Sequence, residues 1–326
     1  MSQLIVGLLS ALMSTNQPVA VSNFVTQTTG ISVEKAVDAN DPAEKAYRQL
    51  LELDESTTEE IDKWIRDAQA MNEKAGATAP NVTLNAKIRE RLLAVKTAYD
   101  KFLEKNPKHV KGWLAYGSFL NEIGEETDAA GKWEKARELD PTNPAPWNNL
   151  ANYYGHKSPV KKAFEYYAKA IELNPNEPVY YHNFGTTVYL FRKDAKEYYG
   201  IEENEVFTKA LELYQKSLKL DPDNFLLAQD IAQTYYGIKP PRHDEAVKAW
   251  EYTLSKARDD FERQGVQIHL ARFKINASKF DEARTHLSLV NHPNYTDLKE
   301  RVRATLERKE KEAKDGKSTA SPETSQ

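Results

Sequence analysis

The chain has 326 residues, 29% of them charged and 40% hydrophobic, with a formal net charge of −4 and no cysteine. That length accommodates two ordinary domains or one long repeat array. The lack of cysteine excludes disulfides, thiol catalysis and thiolate metal sites, and the mixing of Lys and Arg among Asp and Glu excludes a basic footprint for nucleic acid.

Residues 1–40 read as leader and linker. Leu4 to Met13 is an apolar run of signal-peptide length, too short for a stable membrane span, and Ala20-Val21-Ser22 offers small residues for cleavage, which defines a candidate signal peptide over 1–22. No Lys or Arg precedes Lys35, which speaks against this reading, so export to a periplasm or cell envelope and a cytoplasmic location both stay open. Residues 41–106 form N-terminal helices. A short helix is expected over 41–54 and a second after Ser56, whose spacing to Glu59 is that of a capping box. Gly76 to Pro80 breaks it, and Ile88, Leu92, Val95, Tyr99 and Phe102 predict a longer helix up to Asn106-Pro107.

From there the sequence repeats. Trp113, Gly117, Ala129, Ala136, Leu139 and Pro141 recur 34 residues later as Trp147, Ala151, Ala163, Ala170, Leu173 and Pro175. A fixed period means stacked copies of one helix–turn–helix unit. Units are expected at 110–143, 144–177, 178–224, 225–263 and 264–293, within a repeat region of 107–293. The interval from Pro175 to Pro222 is 47 residues, so the third unit holds 13 extra. Its first helix is expected to run on through Phe191 and Tyr198 to a stop at Gly200, with Asn204 capping the next helix. Residues 294–310 read as an amphipathic capping helix and 311–326 as a disordered polar tail.

The motifs Trp113-x2-Tyr116-Gly117-x2-Leu120, Ala129-x3-Trp133, Pro141 and their second copies resemble the tetratricopeptide repeat family. The resemblance covers 107–293 and, more weakly, 56–106. It implies an all-α, right-handed superhelical solenoid of antiparallel helix pairs, with the first helix of each pair (helix A) lining a concave groove that binds a protein or peptide partner. Carried over position by position, the groove-facing residues include Lys111 in the first unit and Asn148, Asn149, Asn152 and His156 in the second. The third and fourth units contribute His182, Asn183 and Thr186, then Gln229 and Gln233. Asn suits such a groove because its amide both donates and accepts, and so pairs with any peptide unit. A carboxylate clamp of the kind some relatives use for acidic chain ends is incomplete. Lys111 and Asn149 fit it, but Ala115, Val179 and Asn183 stand where the remaining polar and basic groups belong.

His156 and His182 lack a third ligand at motif spacing, so no metal site or cofactor is expected. Five Tyr-Tyr pairs are expected to put one ring in the core and leave the other for contacts. No phosphate-binding loop, zinc-protease, serine-hydrolase or dinucleotide motif occurs. The expected function is therefore a non-catalytic protein–protein interaction scaffold. Self-association, or a structural role in a cell envelope through the convex face or the insert, is the alternative, and an enzyme the remote one.

Overall fold

The structure is a computed structural model that describes residues 41–75 and 82–318. The leader, the candidate signal peptide, the break at Gly76–Pro80 and the last residues of the tail lie outside them. The described residues are all-α, with no strand, and the chain divides into two compact units at Pro175 and Asn176.

Among the described residues the first unit holds six helices: α1 (Pro42–Ala75), α2 (Val82–Lys105), α3 (Val110–Glu122), α4 (Glu126–Leu139), α5 (Pro144–Lys157) and α6 (Val160–Leu173). Consecutive helices pack as pairs, and each pair leans on the next. The expected break in the first segment does not occur: α1 runs through Ser56. Its hydroxyl, with those of Thr57 and Thr58, donates to the carbonyls of Leu53 and Asp54 one turn back instead of capping a new helix. No Gly or Pro interrupts the stretch after Pro42.

Two devices set the repeat geometry here. Small residues sit where helices cross: Gly117 faces the Trp133 indole, which itself donates to the Leu114 carbonyl at 3.3 Å. Turns are pinned by the opening Trp of helix A. Trp113 Nε1 donates to the Pro107 carbonyl at 2.9 Å and Trp147 Nε1 to the Pro141 carbonyl at 3.0 Å, six residues back each time. Around these pins, Tyr47, Leu50, Val95, Tyr99, Phe102, Leu114, Phe119, Leu120, Trp133 and Leu150 make one core.

The second unit holds α7 (Pro178–Leu190), α8 (Arg192–Tyr199), α9 (Glu203–Leu220), α10 (Phe225–Thr234), α11 (His243–Lys256), α12 (Asp260–Asn276), α13 (Phe280–Ser288) and α14 (Thr296–Ser318). The third pair, α7 with α9, is where the insert falls. Helix A does not run on as expected: it ends at Leu190, Phe191 leaves helical geometry at φ −103° and ψ 44°, and α8 starts separately. Gly200 closes α8 at φ 65°, the left-handed conformation that favours glycine. Asn204 is not the cap of α9. Its amide donates to the Lys239 carbonyl at 2.6 Å, while Glu205 accepts from the Glu202 N–H at 2.8 Å. Arg192 and Lys196 of α8 pair with Glu203 and Glu202, which holds the insert against the start of α9.

Two further spans differ from expectation. Helix α12 begins at Asp260, because Asp259 accepts from the Glu262 N–H at 2.7 Å and caps it, so a unit boundary at 263 falls inside a helix. Residues 311–318, expected to be disordered, continue α14, whose outer turns carry the ion pairs Arg308–Glu312 and Lys314–Glu310 at four-residue spacing. The inner face of α14 presents Val302 and Leu306 to Ile268, Ile275 and Leu287.

Candidate functional site

The expected groove residues fall in both units. In the first, Lys111 pairs with Glu44 of α1 at 3.7 Å, beside His109, which approaches the same carboxylate at 3.6 Å. This lysine is therefore tied to the N-terminal helix. Asn148 and Asn149 are not a solvated row: they are 0% and 2% exposed, and Asn148 Nδ2 donates to Asn149 Oδ1 at 3.3 Å. Asn149 Nδ2 is buried with no acceptor. Asn152, one turn on and half-buried, accepts from the Tyr167 hydroxyl at 2.5 Å. His156 is exposed near the end of α5.

The sequence explains this arrangement. Leu150 and Ala151, fully buried, fix which side of α5 meets α6, and Asn149 and Asn152 then share the flank next to them at three-residue spacing. Burial of an amide follows from the small residues around it. Ala145, Ala151 and Gly155 on α5 are buried together with Asn148 and Asn149.

In the second unit the corresponding residues form a network. His182 Nε2 lies 2.7 Å from Asp230 Oδ2, joining α7 to α10. The Tyr214 ring meets His182 edge-on at 5.8 Å, and its hydroxyl donates to Thr186 Oγ1 at 3.0 Å. Burial, with Asp230 nearby, pushes the Tyr214 phenol well above its ordinary range, so it stays a donor. Asn183 is half-buried and its carbonyl accepts from Thr187. Gln229 and Gln233 are half-buried on α10. The carboxylate that holds His182 occupies a groove-facing position that the repeat register also picks out: Asp230 precedes Ile231-Ala232 as Asn149 precedes Leu150-Ala151.

The same register continues into the fifth pair, where sequence reasoning stopped short. His269 precedes Leu270-Ala271, 39 residues after Asp230, and Arg272 follows Gln233 by the same interval. The structure sets both beside Tyr236, whose hydroxyl lies 2.9 Å from His269 Nδ1. Among the described residues no group of three or more His, Asp or Glu is placed to hold a metal, and no helix is long and apolar enough to cross a membrane.

Stacked antiparallel helix pairs with small residues at their crossings and polar groups on the first helix of each pair define an all-α helical-repeat protein. Residues 145–177, the second of the regular helix pairs, match the family model for the tetratricopeptide repeat. The peroxisomal targeting signal receptor of Komagataella phaffii is 30% identical over 47% of this chain and 24% of its own length, so the chain spans about a quarter of that relative. The photosystem I assembly protein Ycf3 of Rippkaea orientalis is 27% identical over 40% of this chain and 79% of its own. The crystal structure of MamA superposes with a TM-score of 0.42 at 25% identity, over 55% of this chain and 95% of that one.

Proposed function

We propose that the chain is a non-catalytic scaffold that captures a peptide or helix of a partner protein on the helix-A flanks of its repeats. The observation that carries this reading is the Asn149 amide, a buried donor with no acceptor, set between Asn148 and Asn152. A buried donor left unmatched costs about 1–3 kcal/mol, so a partner carbonyl that reaches it gains more than an ordinary surface hydrogen bond would. One such contact is not enough. Micromolar affinity corresponds to about −8 kcal/mol, and hydrogen bonds at roughly 0.5–1.5 kcal/mol each must be joined by apolar contacts. The second unit offers Asn183, Gln229 and Gln233 for the same role, with His182 and Thr186 held in place by Asp230 and Tyr214.

Two relatives carry names that concern other proteins, a receptor for a targeting signal and an assembly factor. A scaffold reading accommodates both. The test is affinity capture with the full chain as bait and the double variant Asn149→Ala/Asn183→Ala as the matched control, one substitution per unit. Partner retention is expected to fall at least tenfold with an unchanged helical circular dichroism signal. Equal retention of an authentic partner by both baits would sink the assignment and move the interface to the convex face or to α8.

A further inference from the structure

Tyr236 follows α10, Trp250 lies on α11, and His269 and Arg272 lie on α12, all within the second unit. Their side chains interlock. The His269 ring stacks flat on Trp250, with centroids 4.1 Å apart and planes 4° from parallel, and Tyr236 packs against Phe273 at 4.5 Å. The Tyr236 hydroxyl sits 2.9 Å from His269 Nδ1, and the Arg272 guanidinium is near enough to oppose the upward push that burial gives the Tyr236 phenol. Burial first, and Arg272 second, lower the His269 imidazole to about 4, so it is neutral at physiological pH.

Arg272 is half-buried beside Tyr236 and His269, and no carboxylate perturbs either of these titratable neighbours. Among the described residues Arg272 makes no ion pair with Asp or Glu, unlike Arg192, Arg258 and Arg284 of the same unit. Tyr236 is 42% exposed, which leaves the phenol edge within reach of an incoming group. A guanidinium presents its N–H donors in a planar fork that matches a carboxylate.

We propose that Arg272 and Tyr236 receive an acidic side chain, Asp or Glu, of the partner peptide. This deepens the scaffold reading and rests on it, since Arg272 occupies the helix-A register of Asn152, Thr186 and Gln233. The guanidinium supplies the charge, Tyr236 adds a hydroxyl, and His269 on Trp250 supplies a neutral wall that leaves the cation uncompensated until the acid arrives.

The experiment titrates the full chain at pH 7 with the peptide acetyl-Gly-Glu-Phe-Glu-Gly-amide and with its counterpart in which both Glu are Gln. Binding is followed by nuclear magnetic resonance of the histidine side chains. The Glu peptide is expected to bind at least tenfold more tightly and to shift His269. Arg272→Met makes the two peptides equal, and Arg272→Lys keeps part of the preference. Equal affinities in the native chain, no binding of either peptide at millimolar concentration, or a preference that survives Arg272→Met would each overturn the proposal. Failure of the scaffold reading itself is read separately, by the Asn149→Ala/Asn183→Ala capture experiment.

Discussion

A single missing methyl sets how closely α3 and α4 approach. A Cβ at Gly117 would overlap the Trp133 indole, which is pinned by its bond to the Leu114 carbonyl and cannot swing aside without losing it. Alanine gains about 1 kcal/mol in helix propensity over glycine. Overpacking costs about 1–3 kcal/mol, so Gly117→Ala is expected to lower stability by up to about 2 kcal/mol, read from the urea midpoint. Gln264 matters for the opposite reason, since it completes bonds that nothing else can. Its Oε1 accepts from the backbone N–H groups of Asn291 and His292, both at 2.7 Å, and its Nε2 donates to Asp260 and Asn291. Gln264→Leu strands two backbone donors, and at about 1–3 kcal/mol each the expected loss is roughly 2–4 kcal/mol. Amide exchange at residues 291–292 should rise in the same variant. The candidate site was partly legible at this scale. Asn149, Asn152 and His182 were identifiable from register alone, but their burial and their partners Tyr167 and Asp230 depend on which neighbouring helix closes over them, and a repeat pattern does not carry that information.

Among the elements, α1 carries a burden the others do not. Its Asp54 accepts from the Tyr99 hydroxyl at 2.6 Å, and Tyr99 is fully buried and stacked on Tyr116. Burial raises Asp54 to about 6 against the opposing pull of that hydrogen bond, with Glu55 adding repulsion. Burial, reinforced by Asp54, raises Glu122 at the end of α3 to about 7. Both acids keep their protons in the folded chain at a pH where the unfolded chain has released them. Their contribution to stability is therefore complete below about pH 4 and is lost as pH rises through 6 and 7. The double variant Asp54→Asn/Glu122→Gln is expected to be more stable than the native chain at pH 8, with a flatter change in melting temperature between pH 5 and pH 8. An unchanged pH profile would mean that other groups control it. Helix periodicity and the Trp-to-Pro spacing made α3 through α6 readable in advance, because local propensity and tertiary packing agree there. The continuous α1 and the break at Phe191 were not, since hydroxyl back-bonding at Ser56 and the ion pairs of α8 with Glu202 and Glu203 are choices between local structures that the pattern leaves equal.

For the molecule as a whole, stability is close to a sum over pairs and the interfaces between neighbours. Removing residues 296–318 exposes Ile268, Ile275 and Leu287 at once, and the expected outcome is a concentration-dependent loss of soluble protein, followed by light scattering. Trimming only 311–318 leaves Val302, Leu306 and the Arg284–Glu310 pair in place and should change solubility little. The contrast isolates what α14 does. It lies across α12 and α13 with its apolar side inward and Lys, Arg and Glu outward. A further helix pair from a second molecule would need the surface that α14 already occupies, so copies of this chain cannot polymerise by extending the stack past this helix. Any filament or lattice they build must grow sideways.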